Sequence, residues 1–244
     1  MTATSTDNYR AVTSENFRAV VLSRYELSPV VSGCRFRVLG LRPFVWIAGQ
    51  YLLLSTDDAP ELGVPFSIAS TPDGLAPGEF ELAISNVGSR ELVSKLEPGR
   101  ELTVSAARGS FIYLPSAGAT MLVGIGTGLA PLRAMLQAAL AVEESDPVVL
   151  LYGARRETDV LWRDELEALA RAHPRFHFEP TLSASSAAHS GRRGRVQDHL
   201  RELTLPLHAV SAYVCGTRPM VDDCVRILMG ELSGVVSRVA GEAF

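Results

Sequence analysis

The sequence predicts two domains, an N-terminal antiparallel β-barrel followed by a C-terminal α/β domain built on a parallel sheet. Three observations carry that prediction. From about residue 12 to 115, short alternating or apolar runs are broken by turn residues, the pattern of a barrel or sandwich. After the loop at Leu114 to Ala119 the period changes, and strand-like runs alternate with helical ones, as βαβ crossovers require. Third, VGIGTGLAPLRAML (123–136) sets three glycines at alternate positions between an apolar strand and a segment of helical spacing. A chain of 244 residues is long enough to bury a core in each half.

In order, FRAVVLSRYEL, CRFRVLGL, GQYLLLS, PFSIAS, GEFELAIS and ELTVSAA read as the barrel strands. Between the last two, SRELVSKLEPG (89–99) places Leu92, Val93 and Leu96 at helical spacing and stops at Pro98-Gly99, so one short helix is expected there. The second half then reads TMLVGIG strand, APLRAMLQAALAV helix, PVVLLYGA strand, DVLWRDELEALARAH helix and RFHFEPTLS strand. It continues with GRVQDHLREL as a helix, HAVSAYVCG as a strand and PMVDDCVRILMGEL as a last helix. The domains divide as 1–115 and 116–244. The tract SASSAAHSGRRG (183–194) reads as a mobile surface loop.

Net charge is −4 with acids and bases interspersed, which lacks the basic footprint of a nucleic-acid binder. The first twenty residues are polar, and no apolar run approaches the ~20 residues of a membrane span, so a cytoplasmic protein is expected. Cys34, Cys215 and Cys224 are odd in number and scattered, which fits neither a disulfide framework nor a metal knuckle. Three cysteines also fall short of an iron–sulfur cluster, so no metal is expected in this chain.

The glycine loop has a physical use. A strand running into a helix leaves the first helical N–H groups unpaired, and glycines let an anion approach that positive end. Gly124, Gly126, Gly128 and Pro131 suit this geometry. No Lys-Ser/Thr follows, so an Mg-triphosphate site is not expected, and the spacing is not GxGxxG. A tight turn without a ligand is the rival reading. YVCGTRPMVDD (213–223) repeats the arrangement with Gly216, Thr217 and Pro219, and both loops fall at carboxyl ends of strands, where ligands bind in parallel sheets. There Cys215 projects toward the crevice; a buried structural cysteine is the alternative.

Taken together, these segments resemble the ferredoxin–NADP reductase superfamily, most closely its compact NAD(P)H:flavin oxidoreductases and the reductase components of oxygenases. PFSIAS (65–70) is similar to the family's RxYS flavin motif, GxGTGxAP (124–131) to its nicotinamide-nucleotide loop, and LYGAR (151–155) to the following strand end. YVCG (213–216) is similar to its cysteine motif, and the terminal EAF (242–244) to its acid–x–aromatic close. The resemblance implies hydride transfer from nicotinamide C4 to flavin N5, with electrons then passed to an acceptor.

It further implies FAD, or FMN, held by Pro65, Phe66, Ser67, Ile68, Gly88, Ser89, Arg90 and Phe244. Ser67 lies near N5, and Phe244 covers the ring until nicotinamide displaces it. NADH or NADPH is held by Gly124, Gly126, Thr127, Gly128, Pro131, Gly153, Arg155, Cys215, Gly216 and Met220. By the same resemblance, Ser67, Cys215 and Glu242 are expected to form the catalytic cluster. The implied partner is a ferredoxin, an oxygenase, a haem protein or a flavin monooxygenase. Ordinary core aromatics are the rival for Phe66 and Phe244.

Three departures qualify the resemblance. Val64 stands where the flavin motif has Arg, and losing a charge-assisted phosphate contact costs about 1.5–3 kcal/mol, or roughly ten- to a hundredfold in affinity. Either Gly88-Ser89-Arg90 compensates, or flavin exchanges as a substrate and leaves reduced to serve a monooxygenase, or the site is degenerate and the chain is a non-catalytic subunit. In AARGSF (106–111) Gly109 and Phe111 survive but the family's Pro does not, while RPF (42–44) has no phosphate role. Ser183 matches the family's 2′-phosphate site, yet Ala184 replaces its Arg. Arg192, Arg193 and Arg195, or Arg155 and Arg156, are the substitutes, and with a solvated basic loop as the simpler reading the balance tips to NADH.

Overall fold

The computed structural model describes residues 16–56, 63–87, 89–142, 146–185, 189–202 and 209–244. The first six strands form one sheet: β1 (Asn16–Ser28), β2 (Val31–Val38), β3 (Tyr51–Ser55), β4 (Val64–Ser67), β5 (Glu79–Ser85) and β6 (Glu101–Ser105), in the order β4-β3-β6-β1-β2-β5. All the pairings are antiparallel. The sheet closes on itself just past β4, where Ile68 pairs with Leu82 and the Ala69 N–H donates to the Glu81 carbonyl at 2.8 Å. A closed sheet leaves few open edges, and alternate residues fill its interior. Phe36 and Phe80 stack inside at 5.2 Å, with Phe44, Trp46, Leu52, Ile68 and Leu102 around them. The predicted short helix is α1 (Arg90–Ser94).

The second sheet is β7 (Thr120–Ile125), β8 (Val148–Ala154), β9 (Phe176–Leu182), β10 (Arg192–Arg193), β11 (Val210–Gly216) and β12 (Val236–Ala243), ordered β10-β9-β8-β7-β11-β12. Every pairing in it is parallel. It is crossed by α2 (Leu129–Ala141), α3 (Arg163–Ala172), α4 (Val196–His199) and α5 (Arg218–Gly230). Winding runs outward from β7 to β10, then returns to place β11 on the other side of β7. The strand order therefore reverses at β7, and a ligand crevice is expected at the carboxyl ends there.

Two strands were absent from the sequence reading. β12 is half-exposed along its length, with no alternation to signal it, and β10 is two residues of the basic tract pairing with Thr181 and Leu182. That tract is thus partly laddered rather than a free loop. The helix expected over GRVQDHLREL is four residues long and tightens into a 3₁₀ turn at Leu200–Glu202.

One apolar cluster bridges the two sheets. Val31, Ala48, Ala69, Ala83 and Phe111 from the barrel side pack with Leu129, Leu132, Met135, Leu136 and Cys215. The connection is pinned as well: the Tyr113 N–H donates to the Ala48 carbonyl at 2.9 Å, and the Leu114 N–H to the Tyr213 hydroxyl at 3.0 Å. Among the described residues no helix is long and apolar enough to cross a membrane.

Candidate functional site

β7 ends at Ile125, a 3₁₀ turn spans Gly126–Gly128, and α2 starts at Leu129, so a full turn intervenes where the sequence suggested a direct strand-to-helix step. The three glycines have different jobs. A Cβ on Gly128 would press on the Cys215 carbonyl, 2.7 Å from its carbon and 3.0 Å from the Gly216 nitrogen. A Cβ on Gly124 would lie 2.6 Å from Leu132 Cδ1. Those two glycines let β7, α2 and β11 pack without a gap. Gly126 has φ +53° with open space around it, and it alone of the three faces a cavity. Its carbonyl accepts a 3.0 Å hydrogen bond from the hydroxyl of Tyr152, whose ionisation burial strongly opposes.

That cavity, about 730 Å³, lies at the carboxyl ends of β7, β8, β9 and β11. Among the predicted nucleotide residues Gly126, Gly153, Arg155 and Met220 are in its wall. Gly124, Gly128, Cys215 and Gly216 are buried behind it, Pro131 is buried in the first turn of α2, and Thr127 sits half-buried in the 3₁₀ turn. Ser183, Arg156 and Arg195 are in the wall too. Arg192 and Arg193 are not: the first pairs with Glu179 at 2.9 Å and Glu202 at 3.1 Å, and the second donates to Ser185 Oγ and the His189 carbonyl. Sequence reasoning missed the turn Ser28–Val31 between β1 and β2, through which the barrel supplies the far wall. No local motif marks it, because only the folded seam brings it there.

Beside the cavity, Cys215 stands between Gly124 of β7 and Glu242 of β12 in the ladder. Burial, then the negative charge of Glu242, push its thiol far up, so it stays protonated. Burial alone raises the half-buried Glu242 carboxyl above its usual range. The pair is thus a neutral thiol beside a carboxyl that holds a proton more readily than usual. Next along, the Phe244 N–H donates to the Gly216 carbonyl at 3.2 Å while 65% of the residue is exposed, which rules out a core role for that ring.

Ser67 ends β4 opposite Tyr51, half-buried, and Ala69 two residues on joins the apolar cluster that contains Cys215. Ser67 therefore reaches the seam, though none of Pro65, Phe66, Ser67 and Ile68 is in the cavity wall. Ile68 is fully buried in the barrel core, so its side chain packs there and only its backbone is left to face a flavin. Phe66 is half-buried against the same core and Pro65 is exposed. Ser89 is the residue before α1, Arg90 opens it, and Gly88 lies outside the described residues. Val64 pairs with Leu54, leaving no cation at the first motif position.

The bare Gly126 backbone and the arginines in the wall suit a phosphorylated dinucleotide. The exposed Phe244 ring and the half-buried Ser67 at the end of β4 suit the ring of a flavin. A family model described as an oxidoreductase NAD-binding domain matches residues 122–226. Over 232 residues the chain is 37% identical to ferredoxin–NADP reductase B of Sorangium cellulosum, covering 91% of this chain and 94% of that one. It is 29% identical to the ferredoxin–NAD(P)(+) reductase component of a naphthalene dioxygenase and salicylate hydroxylase system from Ralstonia, covering 86% of this chain and 64% of that longer relative. In structure it is similar to the Amycolatopsis cytochrome P450 reductase GcoB, with TM-score 0.82 and 26% identity over 94% of this chain and 70% of that one. The chain belongs to the ferredoxin–NADP reductase family of oxidoreductases.

Proposed function

We propose that the chain takes hydride from NADPH onto FAD and passes the electrons to a separate acceptor protein of the cytoplasm, a ferredoxin or an oxygenase component. The observation that carries this reading is the cavity at the strand reversal, entered past Gly126 and backed by the Cys215–Glu242 pair. When bound, the two cofactors supply the redox chemistry, nicotinamide as hydride donor and flavin as acceptor. The chain's own residues bind and orient. The Gly126–Gly128 turn and Thr217, the residue before α5, offer helix-start backbone N–H groups to phosphates. Cys215 presents a neutral, buried thiol beside the half-buried Glu242 carboxyl, and Phe244 covers the seam as a movable ring. Arg155, Arg156, Arg195 and Ser183 in one wall favour a 2′-phosphate over the bare ribose suggested by Ala184.

The test is anaerobic mixing of the purified flavoprotein with NADPH or NADH. Rapid flavin bleaching with a higher kcat/KM for NADPH supports the proposal, and no flavin reduction by either nucleotide overturns it. Val64 favours a second reading, in which flavin is a loosely held substrate that leaves reduced. Retention of stoichiometric FAD through desalting would eliminate that version.

A further inference from the structure

Helix α2 leaves the glycine turn and, within its first three turns, reaches across the seam to the barrel. Arg133 and Gln137, four residues apart and so on one face, both hold the chain just beyond β4. One guanidinium nitrogen of Arg133 donates to the Ala69 carbonyl at 2.7 Å and to Glu81 Oε2 at 2.8 Å. Its other two nitrogens make a fork on Glu165 of α3, each at 2.8 Å. Gln137 Oε1 accepts the Thr71 N–H at 3.1 Å. Glu81 also accepts from the Tyr25 hydroxyl at 3.0 Å, and the guanidinium lies 4.7 Å from the Trp162 ring centre.

Arg133 is 7% exposed and Glu81 8%. Burying such an ion pair seldom stabilises a fold more than apolar packing of the same volume would, but it fixes orientation strictly. What it orients is specific. Ala69 lies two residues beyond Ser67, at the point where the barrel closes, while Gly128, five residues before Arg133, abuts the Cys215 carbonyl. A helix is stiff over that distance, about 7.5 Å at 1.5 Å per residue. One short rod therefore touches both Ala69, two residues past the Ser67 strand end, and the backbone of Cys215.

We propose that Arg133 and Gln137 are positioning residues: their two-point grip on Ala69 and Thr71 sets the spacing between the flavin seat at Ser67 and the nicotinamide seat at Cys215. This rests on the hydride-transfer reading above. Because such transfer needs near-contact of the reacting atoms, a misplacement of about 1 Å costs on the order of a hundredfold in rate.

The experiment compares wild type with Arg133→Met, Gln137→Leu and Arg133→Lys as full-length chains. Amide exchange over 68–72 is followed by mass spectrometry on flavin-free protein, and flavin reduction and NADP+ affinity are measured on the flavin-loaded form. Arg133→Met is expected to speed exchange at 68–72 and to slow flavin reduction by about a hundredfold with NADP+ affinity within about threefold of wild type. Arg133→Lys restores part of the rate. Gln137→Leu, the milder change, exposes the Thr71 amide and costs roughly tenfold. Unchanged exchange at 68–72 in both Met and Leu variants overturns the grip. Faster exchange with an unchanged reduction rate overturns its role in spacing. Should wild type itself show no flavin reduction, the hydride reading falls, and the exchange data still decide whether the grip exists.

Discussion

The turn at Gly126–Gly128 and the strand end at Val64–Ser67 are brought to one seam, yet they are built from different materials. The turn works through its backbone: two glycines let three elements close up, and the third puts main chain without a side chain against a cavity. The strand end depends on side chains, and Val64 puts no cation at the position where the resemblance implies a charged grip on a flavin phosphate. A site made of main chain tolerates almost no change in residue size. A site made of side chains can lose one partner and keep its shape.

The largest effect is therefore expected at the turn. Gly128→Val forces a branched side chain against the Cys215 carbonyl and should cut flavin reduction by NADPH by about a hundredfold or more, with nucleotide affinity falling too. An active Gly128→Val enzyme would break the comparison. Next, Cys215→Ala leaves the turn intact and is expected to slow hydride transfer roughly ten- to a hundredfold while the NADP+ dissociation constant moves less than about twofold. Equal losses in both would make Cys215 a packing residue only. On the other side of the seam, Val64→Arg should tighten flavin binding by about ten- to a hundredfold, read by fluorescence titration of the apoprotein. An unaltered constant would show that the phosphate lies elsewhere.

The smallest expected effect is on stability. Burial raises the Glu242 carboxyl above its ordinary 4.5, so the folded chain holds that proton more tightly than the unfolded chain does. The resulting stabilisation is complete below pH about 4.5 and is lost as pH rises through the folded value, which makes ionised Glu242 a burden near neutrality. Glu242→Gln should raise the melting temperature near pH 7.5 by about a degree or two, with the gain shrinking toward pH 4.5. A gain of the same size at both pH values would mean that charge is not the cause.

Legibility in the sequence followed the same division. The barrel and the parallel sheet were readable because apolar period and turn residues are local signals, and the glycine turn because spacing reports backbone crowding. β12 was not, since Val236–Ala243 is half-exposed with no alternation. Nor were Ser28–Val31 and Arg133, whose roles exist only once the two sheets meet. For Arg195 against Arg192 and Arg193, three arginines within four positions, only the β10 ladder decides which lines the cavity.

The apolar cluster shared by the two sheets has a consequence for traffic through the molecule. Halves that share one apolar interior are held against swinging apart to carry charge between stations. Electrons must leave from a fixed doorway, so whatever collects them has to travel to it, and the rate of delivery will follow the collector's concentration and the salt in the medium rather than any internal motion.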